Sequence, residues 1–122
     1  MEFTIGKNSN LPVLKMQLVN DGVTDPSKFS SFIENSLIYF SMKDSKTGAY
    51  KIQNSPAGFV NKTFVNPDAN PEYYIFYKFT KANTNREGNY EGEFTFLNDD
   101  GTTILPIREK LIIKVIDSYV YF

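Results

Sequence analysis

The feature that most constrains this chain is how closely its turn signals follow one another. Asn20-Asp21-Gly22, Asp44-Ser45-Lys46-Thr47-Gly48, Glu87-Gly88-Asn89 and Asn98-Asp99-Asp100-Gly101 interrupt it, and short runs of period-two patterning lie between most of them. Asn, Asp and Gly supply the local hydrogen bonds and backbone angles that tight turns require. Alternation of apolar and polar residues sends successive side chains to opposite faces of an extended chain. Short alternating runs joined by tight turns predict an antiparallel all-β domain.

The runs can be placed individually. Phe3–Ile5 is a short first strand. Pro12–Val19 follows, with Leu14, Met16 and Leu18 on one face. Leu37–Lys43 sets Ile38, Phe40 and Met42 together, and Ala49–Gln53 returns from a turn to make a hairpin. Glu72–Phe79 carries Tyr73, Ile75, Tyr77 and Phe79 on one side and Tyr74, Phe76 and Lys78 on the other, so both of its faces are aromatic. Asn89–Leu97 turns Tyr90, Phe94 and Phe96 inward and Glu91, Glu93 and Thr95 outward. Asn98–Gly101 is a hairpin turn with Gly101 suited to a left-handed backbone. Thr102–Leu105 and Leu111–Ile116 complete the count, separated by Pro106 and the charged Arg108-Glu109-Lys110 bend. Seven to eight short strands predict a sandwich of two sheets. Asp25–Asn35 has room for one helical turn. Ser55–Asn70, rich in Pro and Asn, reads mostly as loop and is a candidate contact surface.

At 122 residues the chain has the length of one domain. With 13 basic and 14 acidic residues interspersed, its net charge of -1 favours neither nucleic acid nor an acidic membrane. It has no Cys and no His. Disulfides, thiol nucleophiles, imidazole bases and nearly every zinc, iron or copper site are thereby excluded. No cofactor is expected, and an oxygen-lined calcium site in the Pro67–Glu72 loop is the one metal option left open. The remaining carboxylates do not suggest catalysis. Asp99 and Asp100 belong to a turn, and Glu91 and Glu93 lie side by side on a strand rather than across a substrate bond. The chain reads as a non-enzyme. Its opening residues lack the basic and apolar regions of a secretory signal, so synthesis and assembly in a cytoplasm are expected.

Two groups of residues stand out as contact surfaces. Residues 117–122 form an apolar extension, Asp117-Ser118-Tyr119-Val120-Tyr121-Phe122, where chain ends are usually polar. If Leu111, Ile113 and Val115 face the core, Ile112 and Ile116 face out. Together with Tyr119, Val120, Tyr121 and Phe122 they make a candidate protein interface. The second group is Tyr73, Tyr74 and Tyr77, which could stack on sugars or simply divide between the core and a covered outer face.

The order of segments also resembles a known family. Phe3-Thr4-Ile5 followed by Asn8–Leu18 (NSNLPVLKMQL) resembles the start of the immunoglobulin-like N-terminal domain of phage baseplate upper proteins, a group that includes small tailed-phage virion proteins. Leu37–Lys43 (LIYFSMK), Tyr74-x-Phe76-Tyr77-x-Phe79, Gly88-Asn89-Tyr90-Glu91-Gly92-Glu93-Phe94 and Gly101–Pro106 are similar to its later strands in order and spacing. The Asp25–Asn35 segment and the loop before Glu72 are longer than the family pattern. The resemblance implies an immunoglobulin-like sandwich. It also implies that Gly88-x-Tyr90 forms a tyrosine corner with a folding role. The implied function is that of a virion structural component, assembled in the host cytoplasm in many copies and contacting other virion proteins. The alternative is a carbohydrate- or host-receptor-binding module using Tyr73, Tyr74 and Tyr77.

Overall fold

The computed structural model describes residues 1–18, 31–62, 72–99, 101–105 and 110–117. Nine strands occur among them: β1 (Glu2–Gly6), β2 (Leu14–Leu18), β3 (Leu37–Asp44), β4 (Tyr50–Pro56), β5 (Gly58–Lys62), β6 (Glu72–Tyr77), β7 (Gly88–Asn98), β8 (Gly101–Leu105) and β9 (Leu111–Ile116). They form two sheets. The larger has the order β1-β9-β7-β3-β4, with β8 also on β7, and the smaller has the order β2-β6-β5.

The period-two pattern explains why the sheets face each other. Ile38, Phe40 and Met42 of β3, Tyr90, Phe94 and Phe96 of β7, and Leu111, Ile113 and Val115 of β9 are all buried. From the smaller sheet Leu14, Tyr73, Ile75 and Tyr77 meet them. Phe40 is the hub. Its ring stacks on Tyr77 at 4.6 Å, tilts against Phe94 at 5.0 Å and meets Phe79 edge-on at 5.8 Å. Residues 31–34 form a single helical turn. It seats Ile33 in the core and stacks Phe32 on Phe96 at 5.6 Å.

Several expectations need revision. Gly58–Lys62 is a strand rather than loop, paired along its length with β6. Pro56 and Gly58 disguised it. Pro56 sits at the end of an edge strand, where a missing N–H costs no ladder bond. Gly58 is covered by the Phe76 ring, whose tip lies 2.7 Å from where a Cβ would stand. With only Ala57 between them, β4 and β5 carry the chain from one sheet to the other. The expectation of uniformly antiparallel pairing also fails at one place, because β1 runs parallel to β9, from Glu2↔Ile112 to Gly6↔Ile116.

The β8–β9 break follows from the register. Leu105 pairs with Phe94 and Leu111 with Gly92, so Glu93 is the one β7 residue between the two pairings. β8 and β9 are thus one line of strand along the same side of β7, interrupted between Leu105 and Leu111. On the other side of β3, β4 shifts register twice. Asn54 takes φ +51° there, its N–H donating to the buried Ser41 hydroxyl at 2.9 Å. Such bulges twist an edge strand away from further pairing.

Counting β8 with β9, the sheets correspond in chain order to the B-E-D and G-F-C-C′ sheets of an immunoglobulin domain, with the first strand beside the last. The tyrosine corner is present. Tyr90, at the start of β7, donates its hydroxyl to the Arg86 carbonyl at 2.8 Å. The protein is an immunoglobulin-like two-sheet sandwich.

Two stability outcomes are expected. Phe40→Ala, which empties the middle of the aromatic cluster, should cost about 3–5 kcal/mol in urea unfolding. Tyr90→Phe should cost about 1–3 kcal/mol, because it strands the Arg86 carbonyl. Burial raises the Tyr90 phenol above its ordinary value, and the Asp44 carboxylate adds to the effect. A raised folded pKa means that this contribution is intact below the unfolded value of about 10 and is lost as pH climbs through the folded value. The wild-type stability should therefore fall more steeply than that of Tyr90→Phe in unfolding titrations above about pH 10.

Candidate functional site

In an antiparallel pair, directly opposed residues share a face, so the registers show what the outer face of the larger sheet presents. One row reads Glu2–Ile112–Glu91–Lys43 across β1, β9, β7 and β3. Lys114 lies 3.2 Å from Glu2, and Lys110 and Lys43 lie 3.3 and 3.9 Å from Glu91. This half of the face is a lattice of surface ion pairs. Ile112 sits half-buried within it, where the lysine stems can cover apolar surface.

Ile116, at the strand end, is 48% exposed. Both isoleucines point outward as the alternation implies. They do not form one apolar surface, because Lys114 separates them and carboxylates flank Ile112. Tyr119, Val120, Tyr121 and Phe122 lie outside the described residues, as do residues 67–71 of the loop considered for calcium.

The other half of the same face is apolar. Leu37 opposes Leu97, and Thr95 stands between Tyr39 and Ile104. Leu37 is 60% exposed, Leu97 43% and Ile104 50%. Three large aliphatic side chains on adjacent strands β3, β7 and β8 therefore face solvent together. From Leu37 and Tyr39 an open groove of about 510 Å³ continues past Pro56 and Ala57 to Phe59, where β4 crosses to β5. Exposed apolar clusters of this kind mark contact sites. Sequence reasoning missed it because each residue is single on its own strand. The signal was there: Leu37, Leu97 and Ile104 all fall on the polar phase of their strands.

The tyrosines divide as the alternation predicts. Tyr73 and Tyr77 are buried, at 1% and 4% exposure. The Tyr73 hydroxyl lies 3.0 Å from Glu34, and that of Tyr77 lies 3.0 Å from Ser55 and 3.2 Å from Asn83. Neither can serve as part of a ligand surface without unpacking the core. Tyr74 points the other way. With Phe76, Val60, Lys15 and Gln17 it lines a groove of about 190 Å³ on the outside of the smaller sheet. Phe76 lies over Gly58, and the Lys78 ammonium lies 5.9 Å from its ring centre.

Little in these surfaces supports reaction chemistry. Glu91 and Glu93 border a cleft of about 130 Å³ with Lys43 and Lys110, and Glu91 is already ion-paired to both lysines. Among the described residues no group of three or more Asp or Glu is placed to hold a metal ion. The Asp44 carboxylate is held below its ordinary value chiefly by the Lys46 and Thr47 backbone N–H groups, which it caps at 2.7 and 3.1 Å in the β3–β4 turn. That is turn chemistry.

No family model matches the chain, and no curated protein matches it. Among solved structures, AggA, the major subunit of aggregative adherence fimbriae type I from Escherichia coli, aligns over 94% of this chain and 89% of its own. The identity is 12% and the TM-score 0.37, too low to bear on architecture or role.

Replacing Leu37 and Leu97 by Thr keeps β-forming residues at exposed positions. Each change should leave the unfolding free energy within about 0.5 kcal/mol. The native double variant should bind less of an apolar fluorescent dye than the wild type.

Proposed function

We propose that this protein is a non-enzymatic structural component of a tailed-phage virion, in the baseplate, tail or another attachment point, acting by docking on other virion proteins. The observation that carries this reading is the Leu37–Leu97–Ile104 cluster, an exposed apolar surface on a firmly packed sheet. A sandwich with its core complete on one side and aliphatic residues on the other is suited to surface complementarity. The order of sequence segments, which resembles the immunoglobulin-like domain of phage baseplate upper proteins, supports the setting. Virion parts repeat by symmetry, so many copies per particle are expected.

Quantitative mass spectrometry of purified particles tests the reading. A fixed stoichiometry per particle is expected, and absence from particles would overturn it. A carbohydrate- or receptor-binding module is the second reading. It is favoured by one feature, the Tyr74–Phe76 groove, since aromatic faces stack on sugar rings. Titration with host surface glycans separates the two. Saturable binding that disappears in Tyr74→Ala would select the module, and the structural reading expects none.

A further inference from the structure

We propose that the edge of β8 left unpaired among the described residues, beside Ile104, receives the Tyr119–Phe122 run of a second copy of this chain, so that copies join head to tail. The proposal rests on the reading of the protein as an assembly component and gives that assembly a contact.

Strands at sheet edges invite pairing unless something blocks them. Three of the other edges of this sandwich carry blocks. β4 has Lys51, Pro56 and two register shifts, β2 has Lys15, and β1 begins with Glu2. β8 reads Gly101-Thr102-Thr103-Ile104-Leu105, without charge or proline. Its one described partner is β7. β9, in line with it, is paired on both sides, by β7 and by β1. β1 pairs only as far as Glu2 opposite Ile112, with the Ile112 N–H donating to the Met1 carbonyl at 2.9 Å. Beyond that point the sheet edge passes to β8, next to the exposed Ile104.

Tyr119-Val120-Tyr121-Phe122 has matching chemistry. It is four uncharged β-forming residues without Gly or Pro. Added as a strand, it would set one alternate pair beside Ile104 on the outer face.

The covalent geometry excludes the chain's own β8 as the seat. β9 runs away from β8, and Val115 pairs with Gly88 while the near end of β8 pairs at Phe94. Ile116 is therefore about 7 residue steps, or roughly 23 Å, from that near end. Three residues beyond Ile116, Tyr119 reaches at most about 11 Å, and Phe122 about 21 Å. The run cannot lie along its own β8. β9 ends at Ile116 toward one end of the sandwich, and the β8 edge lies toward the other. That contact is heterologous and generates a ring or a filament.

Two complementary variants test this. One lacks residues 119–122, and the other carries Ile104→Lys with its own 119–122 run intact. The wild type should associate with rising concentration in sedimentation velocity. Each variant alone should associate at least tenfold more weakly, and an equimolar mixture should stop at a 1:1 dimer. A deletion variant that associates like the wild type, or a mixture that stays monomeric, overturns the proposal. Hydrogen exchange on the wild type checks the seat without substitutions. The Thr102–Ile104 amides should gain protection on assembly, and unchanged exchange there in assembled protein overturns the β8 site. Detection in particles is independent of both results, so the structural reading and this contact can fail separately.

Discussion

The stack centred on Phe40 is the constraint on which the rest of the fold depends. Phe40 enters from the larger sheet and meets Tyr77 and Phe79 from the smaller side as well as Phe94 from the neighbouring strand. Aromatic pairs of this kind add about 0.5–1.5 kcal/mol each beyond the area they bury. The alternation of β3, β6 and β7 must keep these rings inward, so every intervening residue is forced outward. The outer faces are a consequence of the core.

Those outer faces are uneven. At one end of the larger sheet, Glu2, Lys43, Glu91, Lys110 and Lys114 make a lattice of ion pairs. Exposed ion pairs of this type contribute about 0–1 kcal/mol each, but charge there disfavours an apolar contact. At the other end, Leu37, Leu97 and Ile104 are bare. The interruption between β8 and β9 separates the two regions. Below it the edge is capped by β1, and above it β8 is the outermost strand among the described residues. Leu37, Leu97 and Ile104 are thus gathered at one end of the outer face, away from the ion pairs.

Much of the strand layout was legible in the sequence. Phe40, Tyr90, Phe94, Phe96 and the Leu111, Ile113, Val115 set were all readable from a period of two, and Gly101 marked the β7–β8 turn. Gly58–Lys62 was not readable, because Pro56 and Gly58 imitate a loop and only the Phe76 ring over Gly58 shows why a strand survives there. The parallel β1–β9 pair was also hidden, since pairing direction leaves no trace in a five-residue run. The outward-facing apolar residues were read in part. Ile112 and Ile116 were rightly placed outward, but the ion pairs around Ile112 depend on partners from three other strands. The Leu37–Leu97–Ile104 cluster depends on register across β3, β7 and β8, which no local pattern contains. Alternation puts Tyr73 and Tyr77 on one face of β6, but with both faces aromatic only the packing of Tyr77 on Phe40 shows that this face meets the core.

Site-specific photocrosslinking inside purified particles tests the central claim most directly, that this protein works by docking through the apolar end of its larger sheet. A photoreactive residue at position 97 should give a discrete covalent adduct with a neighbouring polypeptide, and the same residue at position 114, in the charge lattice, should give little. Equal adducts at both positions, or an adduct at 114 alone, would contradict the account.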